Sequence, residues 1–372
     1  MNDSPFIQER IRAARFLVVG CGALGNEVLK NLALMGAGHL TVVDFDRVEV
    51  GNLSRSVLYR KEDVGQYKVM VAARRLRELN PALEVHTVCG DIAFDVGLGL
   101  VRRSDVVIGC VDNRWARYCI NRMCMRTGVP WVDGGIQNLE GTVRVFVPGR
   151  NCYACALGPE GLQDLARRMP CSGIIRRNEE AGKAPTTSLI ASVIGAVQVQ
   201  EAFKLLHPEQ GLNSLCGKMF YYEGEQLSTR LVDFPAWDPD CPVHGRWEPV
   251  KASAVTTDTP VGEALECWKE ELGSRQVTLH LTGDCFVDSV VRKDNNQQKA
   301  VRLPGRAVAG WVDRDPDWKG LPFSGLYQQE YREIDGRFPY PGLTLSQLGI
   351  PAQDVLSVST ETEEVYLELA EK

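Results

Sequence analysis

Two short half-sites, Cys152-x-x-Cys155 and, much further along, Cys241-x-x-His244, could close around one metal ion. Three thiolates and an imidazole at this spacing suit tetrahedral zinc, and four protein donors leave no open position, so such an ion is structural. Isolated buried thiols are the competing reading. A second constellation, Gly20-x-Gly22-x-x-Gly25, is a turn whose backbone can lie close to a phosphate because no Cβ intervenes. The helix that follows favours negative charge at its N-terminus. A nucleotide on such a turn also asks for an acidic residue at the end of the next strand to take ribose hydroxyls, and Asp44 stands there.

So far an NAD-dependent oxidoreductase fits as well as an ATP-using enzyme. The stretch Asp44-Phe45-Asp46-Arg47-Val48-Glu49-Val50-Gly51-Asn52-Leu53-Ser54-Arg55, then Gly65-Gln66-Tyr67-Lys68 and Val111-Asp112-Asn113, favours the second. Hydride transfer needs a flat apolar slot, whereas Arg55, Lys68 and Asp112 are charged. A guanidinium and an ammonium neutralise phosphoryl oxygens as charge builds on a leaving pyrophosphate, and a strand-end carboxylate can hold Mg²⁺. Taken singly, each is equally a solvated charge on a loop or helix end. Cys171 is the candidate nucleophile. It sits in Arg167-Arg168-Met169-Pro170-Cys171-Ser172-Gly173-Ile174-Ile175-Arg176-Arg177, and flanking cations favour thiolate over thiol. A loop cysteine of no consequence is the alternative, and Cys216 is the weaker candidate.

The elements that must position these groups alternate. Phe16-Leu17-Val18-Val19 reads as a buried strand, the glycine turn follows, and Val28, Leu29, Leu32 and Met35 mark a helix. Further apolar runs at Thr41 to Val43, Val85 to Val88, Val106 to Cys110 and Trp131 to Val132 predict a parallel sheet covered on both faces, a Rossmann-like doubly wound α/β fold. After Gly141 the period becomes two, with Val143, Val145 and Val147 on one side, as in an antiparallel strand that closes the sheet. Residues 156–184 read as an aperiodic crossing loop. A long apolar helix opens at Pro185 and runs to Leu206, buried in the core or against another subunit; two strands, at Met219 to Tyr222 and Thr229 to Val232, follow.

Residues 1–248 are thus expected as a nucleotide-binding α/β domain and 249–372 as a separate α+β module. Within the module, Val261 to Leu272 predicts an amphipathic helix, Val277 to Leu281 a strand, Leu343 to Ile350 a one-turn helix, and Val355 to Val358 and Val365 to Leu369 two strands. Gly283 to Tyr331 is polar, with Trp311, Trp318 and Tyr327 expected at the surface, and shows no clear pattern. The chain has 372 residues, 44% hydrophobic and 24% charged, which fits two folded domains, and a net charge of -6, which gives no reason to expect nucleic acid or an anionic membrane as partner. Met1-Asn2-Asp3-Ser4-Pro5 lacks a basic, apolar leader, and cysteines such as Cys21, Cys110 and Cys119 lie inside apolar patterns, so a cytoplasmic, reducing location is expected.

These motifs, in this order from about Arg15 to Gly245 and including Glu140-Gly141-Thr142, resemble the ThiF/MoeB/ubiquitin-activating superfamily, which adenylates the C-terminal carboxylate of ubiquitin-like proteins. The resemblance implies Asp44 on the ATP ribose, Asn52, Arg55 and Lys68 on the phosphates, Asp112 on Mg²⁺, and Gly20, Gly22, Gly25 and Asp46 around the nucleotide. It also implies zinc on Cys152, Cys155, Cys241 and His244, and a thioester on Cys171. Two departures stand out: Cys-x-x-His replaces the usual Cys-x-x-Cys, and the Arg-Tyr-x-Arg-Gln type of sequence, which lends an arginine to a neighbouring subunit, is missing before Arg15. Arg10, Arg12 or a partner chain would have to supply it. The last thirty or so residues resemble the end of ubiquitin-like folds, implying a module that recruits a conjugating enzyme. The expected function is ATP-dependent activation of a ubiquitin-like protein, in a homodimer or a heterodimer. The alternatives are a sulfur-carrier-protein adenylyltransferase without conjugating-enzyme transfer, an oxidoreductase, and a non-catalytic scaffold.

Overall fold

The run Arg15–Val19 (β1) is buried at every residue but its first, as a central strand covered on both faces must be. In the computed structural model, which describes residues 6–167, 186–235 and 237–371, it follows a short helix α1 (Gln8–Ala13) and leads into α2 (Ala23–Leu34). The chain divides into two units. One comprises Met1–Ala93, Val101–Gly158 and Gly182–Arg246; the other comprises Phe94–Leu100, Pro159–Ala181 and Trp247–Lys372.

In the first unit, β2 (His39–Val43), α3 (Lys68–Leu79), β3 (Glu84–Val88), α4 (Leu98–Arg102, which begins in the other unit), β4 (Val106–Gly109), α5 (Arg114–Thr127) and β5 (Trp131–Gln137) follow in order. The sheet continues through β6 (Glu140–Phe146), then, after α6 (Tyr153–Arg167) and α7 (Ser188–Leu206), through β7 (Lys218–Glu223) and β8 (Ser228–Asp233). Its order is β3-β2-β1-β4-β5-β6-β7-β8, parallel as far as β5 and antiparallel from β5 to β8. The expected doubly wound sheet and its antiparallel closure are both present.

Helix ends follow side-chain chemistry. Asn113 caps α5 by accepting from Ala116 N at 2.8 Å, and Gly128, at φ +78°, ends it in the left-handed conformation. Thr187 caps α7, which therefore starts at Ser188 and not at Pro185, a residue outside those described. Among the described residues α7 alone is long and apolar enough to cross a bilayer. In this fold it packs on the sheet, burying Ile190, Ile194, Val199, Ala202 and Phe203 in one core with Phe16, Val18, Leu29 and Val143. Gly141 permits that approach: a Cβ there would lie 2.3 Å from Ile194. The crossing loop differs from expectation, since α6 is helical to Arg167 with a break at Gly158, where φ is +66° beside Pro159. A mixed run of Gly, Gln and Asp hides its period.

The second unit holds β9 (Val250–Ala252), α8 (Val261–Leu272), β10 (Thr278–His280), β11 (Phe286–Arg292), β12 (Gln298–Pro304), α9 (Gly305–Val312), β13 (Leu326–Tyr331), β14 (Glu333–Ile334), β15 (Val355–Ser359) and β16 (Glu364–Glu368). One sheet runs β14-β10-β15-β16-β9, with β9 and β16 parallel, and α8 lays Val261, Ala264, Leu265 and Trp268 into a core with Leu279, Val358 and Leu367. The polar middle is a second sheet, β12-β11-β13, antiparallel, with α9 on one face. Trp318 is fully buried there with Val287, Val290, Val308 and Val312, contrary to expectation; Trp311 is partly buried and Tyr327 exposed. β11 is buried along most of its length, whereas β12 and β13 alternate covered with open residues, so the apolar residues of this sheet are sparse along the sequence. Leu343 to Ile350 forms turns in place of a helix, with Gly349 at φ +92°. Leu345, Leu348 and Ile350 anchor it in the core.

Candidate functional site

Val19 of β1 stands beside Val43 of β2 and Gly109 of β4. The glycine turn, Asp44 and the loop bearing Asp112 therefore leave one carboxyl edge together. Between β1 and β4 the winding of the sheet reverses, and the crevice at such a switch point is where ligands bind in open α/β sheets.

The three glycines play unlike parts. Gly20 has φ +99°, and a Cβ on it would lie 2.5 Å from the Cys110 carbonyl oxygen; one on Gly25 would lie 1.9 Å from the Gly20 oxygen. Both are required by the turn's own packing. Gly22, preceding the first residue of α2, has nothing within 4 Å of its Cβ position, so the open ground for an anion is there.

Asp44 accepts from Cys21 N (2.6 Å) through one oxygen and from Asp46 N (2.7 Å) through the other. Burial pushes its pKa up, against the opposing pull of Lys68 and of the two N–H donors. Lys68, at the start of α3, pairs through Nζ with Asp46 at 2.7 Å. Burial opposes its charge, but Asp44 and Asp46 outweigh that and hold its pKa above the usual lysine value. The turn, Asp44, Asp46 and Lys68 thus form one bonded cluster. Asn52 and Arg55 are bonded within their own turn: Asn52, buried, accepts from Glu49 N at 2.9 Å, and Arg55 donates to the Gly51 carbonyl at 2.6 Å. Asp112 is exposed, and among the described residues the hydrogen bond its carboxylate takes is a long one, 3.3 Å, from Asn113 Nδ2. A hard oxygen donor left this open at a strand end fits Mg²⁺.

Residues not singled out from the sequence hold the turn. Tyr59 donates to the Cys21 carbonyl at 2.6 Å; Asn26 donates to the Cys21 and Gly22 carbonyls and accepts from Leu58 N. Gln198 reaches from α7 to the Gly109 and Val132 carbonyls. The available signal was a polar residue within an apolar helical face, at Asn26 and at Gln198.

The other constellation closes on itself. The Sγ atoms of Cys152, Cys155 and Cys241 and a ring nitrogen of His244 all lie within 4.8 Å of one another. His244 Nε2 is 3.3 Å from Cys155 Sγ, and its ring stacks on Trp237 at 3.4 Å. Burial lowers the His244 pKa, keeping the neutral imidazole that ligates metals, and raises those of the three thiols, each raised further by a neighbouring thiol. Asn121 Nδ2 lies 3.2 Å from Cys152 Sγ while its Oδ1 accepts from Tyr153 N, orienting one donor from behind. The donor set fits zinc. Cys155 sits in the first turn of α6.

Cys171 lies outside the described residues. Cys216 is half-buried; its thiol faces Asn151 Oδ1 at 3.7 Å, and burial raises its pKa against the pull of Arg150. Arg10 is not free for a neighbouring subunit: it donates to the Leu206 carbonyl at 2.8 Å and pairs with Glu209. Arg12 is exposed.

Residues 3–243 match the model of the ThiF family, and the chain belongs to that family. It is 34% identical over 238 residues to the SAMP-activating enzyme E1 of Haloferax volcanii, covering 64% of this chain and 83% of that one. Identity to the sulfur carrier protein adenylyltransferase of Thermus thermophilus is 35%, over 67% and 88% of the two chains. The adenylyltransferase and sulfurtransferase MOCS3 of Sus scrofa is 32% identical over 64% of this chain but only 50% of its own length. Among solved structures, E. coli MccB with ATP superposes with a TM-score of 0.52 at 22% identity, covering 64% of this chain and 68% of that one, a likeness of fold. Adenylyl transfer of the ThiF type is the activity that the family match supports.

Proposed function

We propose that this chain activates the C-terminal carboxylate of a ubiquitin-like protein with ATP, receives the acyl group on Cys171 as a thioester, and passes it to a conjugating enzyme recruited by residues 249–372. The observation that carries the adenylation step is the cluster of Gly22, Asp44, Asp46 and Lys68 at the switch point of a ThiF-family sheet, with Asp112 beside it. Asp44 offers its carboxylate to ribose hydroxyls; Gly22 and the start of α2 receive phosphate; Lys68, released from Asp46, and Arg55, released from Gly51, meet the charge that builds on the departing pyrophosphate. Asp112 is the group placed to hold Mg²⁺, which would neutralise phosphate oxygens. One oxygen of the tail carboxylate attacks the α-phosphorus, the bond to pyrophosphate breaks, and the acyl-adenylate remains. The Cys171 thiolate then attacks the acyl carbon and AMP leaves. The zinc on Cys152, Cys155, Cys241 and His244 joins β6's exit to the chain beyond β8 and takes no step. A homodimer is the proposed assembly, with Arg12 of a second copy, or an arginine of another partner chain, completing the phosphate site.

The test is incubation with a ubiquitin-like protein and ATP. A thiol-reducible adduct that Cys171→Ala abolishes and Cys216→Ala retains is expected; an adduct surviving Cys171→Ala refutes the thioester assignment. A second reading, adenylation of a sulfur-carrier protein without conjugating-enzyme transfer, is favoured by the Thermus thermophilus and MOCS3 relatives. Removing residues 249–372 separates the two, since carrier adenylation should survive it and acyl transfer onward should not.

A further inference from the structure

Arg117, in the second turn of α5, binds the Asp112 loop to the next strand. Its Nη2 donates to the Val111 carbonyl at 2.7 Å and to the Gly134 carbonyl at 3.1 Å, while its Nε donates to Asp133 Oδ1 at 2.9 Å. Asp133 is fully buried and the Arg117 side chain is 12% exposed. The guanidinium therefore stays below the edge where a nucleotide would lie, yet it grips the residue immediately before Asp112. Among the described residues, the hydrogen bond that orients Asp112 itself is the 3.3 Å one from Asn113. A planar fork can hold two carbonyls and a carboxylate at once in a fixed geometry, which an ammonium cannot.

We propose that Arg117 is a positioning residue for the metal-holding carboxylate: through Val111 it sets where Asp112 presents its oxygens, and Asp133 exists to hold the guanidinium in that pose. The inference rests on the reading of Asp112 given above. Arg144 is the built-in control, because its Nε faces the other Asp133 oxygen at 3.7 Å and has no bond to Val111 or Gly134. If the network merely filled the core around a buried carboxylate, loss of either arginine should have the same consequence.

The experiment titrates the full-length protein with Mn²⁺ in the presence of a non-hydrolysable ATP analogue, following bound Mn²⁺ by electron paramagnetic resonance, and needs no carrier protein. Arg117→Lys keeps a charge opposite Asp133 and should fold; if it does not, the double variant Arg117→Gln/Asp133→Asn removes both charges of that pair and leaves Arg144, 23% exposed, to solvent. In either, the Mn²⁺ dissociation constant should rise about tenfold, as metal sites lose when a supporting partner is removed. Binding of the metal-free analogue should change less than twofold, and Arg144→Gln should bind Mn²⁺ as the wild type does. Unchanged Mn²⁺ affinity in folded Arg117 variants, or an equal loss in Arg144→Gln, overturns the proposal. Wild-type protein that binds Mn²⁺ through Asp112, as judged by Asp112→Ala, but catalyses no pyrophosphate exchange with any carrier sinks the adenylation reading and leaves the role of Arg117 standing.

Discussion

The switch-point crevice and the Cys152 to His244 cluster are both assembled from segments distant in sequence, and they treat their polar atoms in opposite ways. In the cluster, four donors turn toward one another, with Trp237 stacked over the imidazole and Asn121 behind a thiol. At the crevice, Gly22 faces empty space and Asp112 is exposed. On the proposed function, the difference separates a site that would hold the chain together from one that would admit and release a ligand. Self-satisfied donors resist exchange, and open ones invite it.

Removing the proposed zinc should break the comparison most forcefully on the structural side. Zinc held by such a set contributes on the order of 10 kcal/mol in small domains, so a strong chelator or Cys241→Ala should lower the melting temperature by roughly 10 °C or more. Released zinc, read with a colorimetric chelator, should appear at one ion per chain. Below the new transition, nucleotide binding should persist, since the crevice residues belong to other segments. A loss of ATP binding with no change in melting would reverse the assignment of roles.

On the open side, Asp112→Ala should reduce ATP–pyrophosphate exchange by about 10²–10³-fold, the usual consequence of removing one charge-stabilising group, with melting altered by less than about 2 °C. Melting unchanged and exchange unchanged would remove Asp112 from the site.

The glycines allow the same contrast within one turn. Gly25→Ala sets a methyl 1.9 Å from a backbone oxygen, so α2 or the turn must move, at about 3 kcal/mol. Gly22→Ala meets nothing and should change stability by less than about 1 kcal/mol, yet it should weaken ATP binding by crowding the phosphate's place. Equal destabilisation by both would mean that Gly22 is also a packing glycine.

Much of this was legible because period and punctuation coincide. The apolar runs at Phe16 to Val19 and Val106 to Cys110 and the glycines between elements mark a parallel sheet, and C-x-x-C with C-x-x-H marks a donor set whose members lie within 4.8 Å of one another. What escaped notice depends on contacts across the fold. Nothing local to Tyr59 announces a bond to the Cys21 carbonyl, and Arg117 looks like any charged residue on a helix until Val111, Asp133 and Gly134 surround it. Trp318 was misread because its neighbours in sequence are polar, whereas its neighbours in space, Val287, Val290 and Val312, come from other elements. A three-stranded sheet whose outer strands are half open dilutes its core along the chain in that way.

The smallest expected effect concerns Lys68, which is paired with Asp46 much as Arg55 is held by Gly51. The open site is thus not an array of idle charges. Its cations are parked on internal partners, and on the proposed function a triphosphate would have to displace them, which would temper affinity and favour release. Because the folded-state pKa of Lys68 is raised above the ordinary lysine value by Asp44 and Asp46 despite burial, the stabilisation is fully present below about pH 10.4 and fades as pH climbs through the raised value. Asp46 is 41% exposed, so solvent screening limits the pair to about 1 kcal/mol. Lys68→Met should therefore melt about 2–4 °C below wild type at a constant offset from pH 6 to 10, and the gap should narrow at higher pH. An offset that persists undiminished beyond pH 11 would mean that Lys68 stabilises the fold by packing its methylenes, and that its charge is reserved for the nucleotide.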